Sequence, residues 1–300
     1  MKIIITGGSG FVGSNLATCL LERGHQIIAI GRSEPRHQSD RENYRFITAD
    51  TTGKGPWQKE LADADAVVNL AGTSIFRRWT KKYKKQIYDS RILTTRSVVE
   101  ALPSDTNLTL CSASGAGYYG SRGDDILKED ESAGSDFLAG VSKDWEQEAM
   151  RASAKGVRVA IMRFGVILGK NGGAMSKLIP PFKMFVGGPL GDGNQWFPWL
   201  HLDDLMAAIE FVLDHRDVSG PLNFCGPNPV RNRELAQALG EVLGRPSFMP
   251  APAFMIRLAA GEFSDVFLGS QRTLPAKLLN HGFSFKYPEI RGAIEAIVAH

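Results

Sequence analysis

Residues 6–13 read Thr6-Gly7-Gly8-Ser9-Gly10-Phe11-Val12-Gly13, directly after the run Met1-Lys2-Ile3-Ile4-Ile5. A short apolar stretch leads into three glycines spaced by three, Gly7, Gly10 and Gly13. Val12, Leu16, Leu20 and Leu21 then recur at helical spacing. The pattern predicts a strand, a glycine-rich turn and a helix N-terminus. Gly7 permits the tight turn, Gly10 lets the backbone approach a pyrophosphate, and Gly13 lets the helix pack on the strand. Phe11 and Val12 open the helix, whose free N–H groups and positive dipole end suit phosphates. A glycine triplet alone is only a turn signal. The strand before it and the helix after it turn it into a dinucleotide signal.

Gln26-Ile27-Ile28-Ala29-Ile30 reads as the second strand. A carboxylate at its end, roughly 20 residues past the glycines, would hold ribose hydroxyls and mark NAD. This chain has Gly31-Arg32-Ser33 there. No carboxylate repels a 2′-phosphate, and Arg32 can fork onto one through charge-assisted hydrogen bonds. The expected cofactor is therefore NADP rather than NAD.

Strands and helices keep alternating. Tyr44–Asp50, Ala66–Gly72, Leu108–Ser114 and Val157–Arg163 read as the next four strands, with helical patterns over Thr80–Leu102 and Asp136–Lys155. Apolar strands of this kind are buried on both faces, as in a doubly wound parallel sheet of the α/β class. Ligands bind beyond the carboxyl ends of such strands. That gathers Gly7–Gly13, Arg32, Asp50, Asn69–Gly72, Ser112–Tyr119 and Arg163–Gly169 around one crevice. After Gly169 the texture changes, with breaks at Pro180-Pro181 and Gly187-Gly188-Pro189. Asp203 is the expected N-cap of a helix from Leu205 to His215. A late strand over Pro221–Cys225 and a helix over Arg233–Leu243 follow. Residues 1–169 are read as the nucleotide-binding domain and 170–300 as a smaller C-terminal substrate lobe, some of whose pieces return to the main sheet.

Thirty-five basic and 32 acidic residues leave a net charge of +3, too mild to imply nucleic acid or a membrane. The three cysteines, Cys19, Cys111 and Cys225, show no metal or redox spacing. No leader pattern and no apolar run of about 18 residues is visible. The expectation is a cytoplasmic protein with no metal. A homodimer stays open.

More specific segments lie along the whole chain: Asn69-Leu70-Ala71-Gly72, Arg77-Arg78-Trp79, Ser90-Arg91, Gly117-Tyr118-Tyr119-Gly120, Trp145-Glu146, Arg163–Gly169 and Trp199–Asp204. With the opening glycines they resemble extended short-chain dehydrogenases/reductases of the nucleotide-sugar epimerase group. Within that group they look like the atypical branch of "epimerase family proteins" of the YfcH type. The resemblance implies a Rossmann-type sheet, NADP and a C-terminal substrate lobe, and it supplies no substrate. It also implies that Arg32, Leu70, Ala71, Gln86 and Arg91 line the dinucleotide, beside Asp50 and Gly72 of the crevice.

The chain departs from the wider family where proton transfer is done. Typical members carry Tyr-x-x-x-Lys on the helix after the fifth strand. Here Phe137 and Val141 take those places, and no tyrosine of the chain is followed four residues later by lysine. Lys143 lies two residues off, about 200° round a helix. Phenylalanine has no proton to give. Gly115 falls where the family's serine is expected, leaving Ser114 beside it. Ser114, Tyr118 and Tyr119 are the remaining candidates for catalysis.

Six basic residues fall within Arg77–Lys85, among them aromatic Trp79 and Tyr83. Such a run can bind nucleic acid, but beside an anionic cofactor it reads better as the entry to a solvated helix. His201 has no second histidine at ligand spacing and reads as structural. Trp196, Phe197 and Trp199 fit either a ligand wall or lobe packing. Two functions stay open. One is an NADP-dependent oxidoreductase, or an epimerase using the cofactor transiently. The other is a nucleotide-sensing regulator with little or no catalysis.

Overall fold

A computed structural model describes residues 1–34, 42–170 and 172–299. Lys2–Thr6 (β1) runs into helix Phe11–Glu22 (α1) and returns as Gln26–Gly31 (β2). Tyr44–Thr48 (β3), Ala66–Asn69 (β4), the long helix Lys81–Ala101 (α2), Thr109–Gly115 (β5) and Ile126–Leu127 (β6) follow. Helix Phe137–Met150 (α3) leads to Arg158–Phe164 (β7), Val166–Gly169 (β8) and Gly172–Gly173 (β9). Then come Met175–Lys183 (α4), Trp196–Phe197 (β10), Trp199–His201 (β11), Leu202–Asp214 (α5), Gly220–Phe224 (β12) and Val230–Arg231 (β13). Asn232–Leu243 (α6), Ala253–Ala260 (α7), Asp265–Leu268 (α8), Arg272–Thr273 (β14), Ala276–Asn280 (α9) and Ile290–Val298 (α10) complete the described chain.

Seven strands form one parallel sheet in the order β3-β2-β1-β4-β5-β7-β12. The sheet is therefore doubly wound, as the alternating pattern predicts. The chain lays down β1, β2 and β3 in one direction, then crosses to put β4 on the other side of β1. The order reverses between β1 and β4, where Thr6 stands beside Asn69 in register. A ligand crevice belongs at such a switch point.

Successive side chains of a strand point to opposite faces, and the core divides accordingly. Ile3, Ile5, Val68, Cys111 and Met162 pack with Leu16 and Leu20 of α1 and Leu205 and Ile209 of α5. Ile4, Val67, Leu110, Val159 and Ile161 pack on the other face with Val98 and Val99 of α2 and Ala149 of α3. A separate core holds Phe182, Trp199, Leu235, Leu239 and Ile294, joining α4, α6 and α10 to β11.

The start of α5 differs from the sequence expectation. His201, not Asp203, is the N-cap: its Nδ1 accepts the Asp203 N–H at 3.1 Å, and the helix begins at Leu202. His201 ends β11 in extended backbone, so helix follows strand with no linker. Asp203 and Asp204 fall in the first turn, where negative charge suits the dipole.

Candidate functional site

The glycine turn lies at the carboxyl end of β1. Gly7 has φ +71°, and a Cβ there would sit 2.9 Å from the Ala71 nitrogen, so the turn presses on the segment leaving β4. At Gly13 a Cβ would collide with the Gly7 carbonyl oxygen, which is why α1 can start so close to β1. Gly10 is different. Its backbone is ordinary, and a Cβ would meet only the Gly7 oxygen, at 3.2 Å. What its bareness leaves is an open approach to the start of α1, where no side chain caps the N–H groups. Phe11 packs under the hairpin of β8 and β9, its ring against Gly169, Gly172 and Gly173.

Beyond the ends of β2 and β4 a cleft of about 480 Å³ is lined by Arg32, Thr52, Gly72, Thr73, Ser74, Arg77, Tyr83, Gln86, Asp89 and Ser90. Arg32 and Gln86 are exposed on its rim. Asp50 stands near Arg32; hydrogen bonds from the Thr52 N–H (3.0 Å) and hydroxyl (2.7 Å) hold its carboxyl below the ordinary value. The cleft floor is fixed from α2. Ser90 Oγ accepts the Thr73 N–H at 2.9 Å. Arg91 donates to the carbonyls of Thr73 and Ile87, both at 3.0 Å. A Cβ on Gly72 would stand 3.2 Å from the Arg91 guanidinium carbon, a tight contact that the arginine would have to yield to. Burial lowers the pKa of Arg91 to about 10. Leu70 and Ala71 are half-buried beside Gly7, and the Leu70 N–H bonds the Thr6 carbonyl at 3.1 Å.

Beneath the switch point Asn69 is fully buried and satisfied. Its Oδ1 accepts the Thr6 hydroxyl at 2.6 Å, and its Nδ2 donates to Thr95 (2.8 Å) and Ser112 (3.3 Å). Trp145 of α3 donates to the same Thr95 hydroxyl at 2.8 Å. One polar chain thus fastens β1, β4, β5, α2 and α3 under the cofactor turn.

The three catalytic candidates share a second network but not one environment. The buried Ser114 hydroxyl donates to Glu146 Oε1 at 2.7 Å. Glu146 in turn takes two hydrogen bonds from Arg163, at 2.9 and 2.8 Å. Arg163 Nη1 also donates to the Tyr119 hydroxyl (2.9 Å) and the Glu129 carbonyl (3.1 Å). Burial works against the Arg163 charge, yet Glu146 holds its pKa above the ordinary value. Tyr119 is fully buried, and its hydroxyl donates to Asn223 Oδ1 at 2.7 Å. Burial pushes that phenol far up. Tyr119 packs as a structural pillar, its side chain closed off from solvent and its hydroxyl held between Asn223 and Arg163. Tyr118 is half-buried, with the Arg163 guanidinium 3.6 Å from its ring centre. The sequence treats the two phenols as equivalent; a helical turn at Ala116–Tyr119 turns one into the core and leaves the other at the edge.

The two departures on α3 have plain surroundings. The Phe137 ring stands 5.2 Å from that of Trp79, edge to face, with Lys84 Nζ 4.9 Å from its centre. Trp79 lies 5.7 Å from Phe263, so the position expected for tyrosine opens an aromatic wall shared with the C-terminal part. Val141 is buried and Lys143 exposed. Sequence reasoning did not single out Glu146, Glu129 or Asn223 as a network. Trp145-Glu146 and Arg163 were visible as motifs, but their pairing joins α3 to β7 and needs the fold.

The other candidates resolve simply. Trp199 is buried in the lobe core, while Trp196 is partly exposed with Arg231 and Arg272 each 4.5 Å from its ring centre. The basic run enters α2, capped by Thr80 accepting from Tyr83 N–H at 3.1 Å. Among the described residues no group of three His, Cys, Asp or Glu could hold a metal ion, and no helix is long and apolar enough to cross a membrane.

Comparison with known proteins agrees with this geometry. Residues 3–224 match the NAD dependent epimerase/dehydratase family, and residues 251–297 match a domain of unknown function, DUF1731. The chain is 40% identical over 302 residues to the chloroplastic epimerase family protein SDR39U1 homolog of Arabidopsis thaliana, covering 99% of this chain and 87% of that one. The crystal structure of human epimerase family protein SDR39U1 (isoform 2) with NADPH superposes with a TM-score of 0.87 at 30% identity, covering all of both chains. UDP-glucuronic acid 4-epimerase from Bacillus cereus, in complex with UDP-glucuronic acid and NAD, has a TM-score of 0.79 at 18% identity over 99% of this chain and 98% of that one. That likeness is one of fold alone.

Proposed function

The chain belongs to the NAD dependent epimerase/dehydratase family, and on that premise we propose that it is an NADP(H)-dependent oxidoreductase or epimerase-like protein acting on a small molecule. The observation that carries the reading is Arg32 on the rim of the cleft, with no carboxylate at Gly31, Arg32 or Ser33. A 2′-phosphate there would gain charge-assisted hydrogen bonds from Arg32 and meet no carboxylate at the end of β2 itself. The NADPH named with human SDR39U1 supports the same choice.

The residues fit the cofactor. The uncapped N–H groups of α1 suit the pyrophosphate, with Gly10 leaving the approach open. Gly72, Gln86 and the floor held by Arg91 suit the adenosine half. The nicotinamide, when bound, supplies or takes up a hydride. The chain must then move one proton to or from the substrate oxygen. Phe137 cannot, and Tyr119 is sealed off. Of the two phenols beyond β5, Tyr118 is the one left partly exposed, with Ser114 held by Glu146 to orient the substrate oxygen. Arg163, the cation beside Tyr118, is already paired with Glu146, so slow turnover is expected.

The test is NADPH oxidation against a panel of aldehydes, ketones and nucleotide sugars, in wild type, Tyr118→Phe and Ser114→Ala. Slow turnover that Tyr118→Phe abolishes supports the reading. Turnover unaffected by both variants overturns the assignment. Phe137 and Val141 favour a second reading, a nucleotide sensor. Tight NADPH binding with no turnover on any substrate would select it.

A further inference from the structure

Eight of the thirteen exposed large apolar side chains among the described residues fall in two short segments. Met184, Phe185 and Val186 follow α4. Phe248, Met249, Phe254, Met255 and Leu258 lie on α7 and the chain leading into it. Phe248, Phe254 and Leu258 are 78%, 69% and 79% exposed, and α7 has no buried residue at all. This is a helix with its apolar side turned outward.

The two segments make one surface. The Met249 N–H bonds the Gly187 carbonyl at 3.4 Å, Ala251 N–H bonds Pro189 at 2.9 Å, and Gly191 N–H bonds Ala251 at 2.8 Å. A Cβ at Gly188 would strike the Met249 backbone, so the two segments touch. The Arg245 guanidinium stands 4.7 Å from the Phe185 ring centre, joining the segments from above. Phe185 has φ +64°, a region that bulky residues rarely enter. Its N–H bonds Phe182 and the Val186 N–H bonds Pro181 (2.9 and 3.0 Å), which holds the turn that puts the ring outside.

Charge decides what covers this face. From Gly172 to Gly191 and from Val242 to Gly261 there is no aspartate or glutamate, in a chain with 32 of them. The same stretches hold Lys177, Lys183, Arg245 and Arg257, all exposed and in no ion pair among the described residues. Of the flanking acids, Glu241 pairs with Arg291 and Glu262 with Lys84, while exposed Asp192, next to the seam residue Gly191, leaves one negative charge at the edge. Apolar prongs ringed by unpaired cations are the signature of an interfacial anchor on anionic lipid. A second copy fits less well, because a twofold interface would bring both sets of these cations into one buried patch with no acid from either stretch between them.

We propose that the face formed by residues 184–186 and 248–258 docks on the surface of an anionic lipid bilayer, with the apolar side chains in the headgroup region and Lys183, Arg245 and Arg257 against lipid phosphates. α7 runs directly into Gly261–Ser264, whose Phe263 belongs to the aromatic wall beside Phe137. Docking would therefore place that wall near the lipid surface.

The test is flotation of the full chain with vesicles of phosphatidylcholine alone and of phosphatidylcholine with phosphatidylglycerol. The expected result is binding to the anionic vesicles only, weakened by salt. Phe254→Ser with Leu258→Ser should reduce it by more than about tenfold, as should Lys183→Gln with Arg245→Gln and Arg257→Gln. These are exposed positions, and retained NADPH binding checks that each variant is folded. Failure of the wild type to float with anionic vesicles overturns the proposal. So does a wild-type dimer in sedimentation that Phe254→Ser with Leu258→Ser makes monomeric without any vesicle binding.

Discussion

Arg163 of β7 grips Glu146 of α3 through two parallel hydrogen bonds, Nε to Oε1 at 2.9 Å and Nη2 to Oε2 at 2.8 Å, and both side chains are buried. The pair puts a cation beside Tyr118 and Tyr119, although Val141 takes the place expected for lysine and Lys143 of α3 is exposed. The cation nearest Ser114, Tyr118 and Tyr119 is Arg163, which comes from a strand instead and is neutralised by its own carboxylate. It can position hydroxyls, but it has little charge left over with which to activate a phenol.

Breaking this pair should be costly. Glu146→Ala leaves a buried, unpaired guanidinium and should lose about 3–5 kcal/mol in denaturant unfolding. Glu146→Leu combined with Arg163→Met should recover much of that, because both charges leave together. A loss under about 1 kcal/mol in Glu146→Ala would show that water reaches Arg163.

The two tyrosines should part company. Tyr119→Phe strands Asn223 Oδ1 and an Arg163 N–H, and should cost about 1–3 kcal/mol. Tyr118→Phe should leave stability within about 0.5 kcal/mol and act only on turnover. Equal stability effects would contradict the separation of the two rings.

His201 gives the fold an acid-sensitive point. Burial lowers its folded pKa below the ordinary value of 6.5. Between 6.5 and the folded pKa the unfolded chain therefore binds more protons than the folded one, so stability falls as pH falls. The loss has a visible cause, since protonated Nδ1 can no longer accept the Asp203 N–H. His201→Asn retains a capping acceptor and should flatten this part of the stability profile, about 1 kcal/mol being the scale of a cap. An unchanged acid slope in the variant would move the effect to another group.

The glycines should fail in different ways. Gly10→Val keeps the fold and loses NADPH binding, because its side chain would grow into the approach to α1. Gly13→Ala forces a Cβ onto the Gly7 oxygen and should unfold at lower denaturant than Gly10→Val. The reverse order would mean that the turn is built otherwise.

The parallel sheet and its nucleotide turn were legible because two-faced apolar strands and a glycine turn are local signals. Ile3, Ile4 and Ile5 declare a doubly buried strand without help from elsewhere. The Arg163–Glu146–Ser114 network was not legible, because its members lie on three elements that only the fold brings together. Tyr118 and Tyr119 are neighbours in sequence, and nothing local says which ring the turn sends inward. The near-neutral net charge likewise hid the basic rim of α4 and α7, since acids elsewhere cancel it in the sum.

The central claim is that Arg32 selects NADP(H), and the most direct measurement is a paired titration of wild type and Arg32→Ala with NADPH and NADH. The account predicts tighter binding of NADPH by wild type. The variant should lose about 1.5–3 kcal/mol of that affinity while binding NADH as before. Equal wild-type affinities for the two nucleotides, or NADPH binding unchanged in Arg32→Ala, would contradict it.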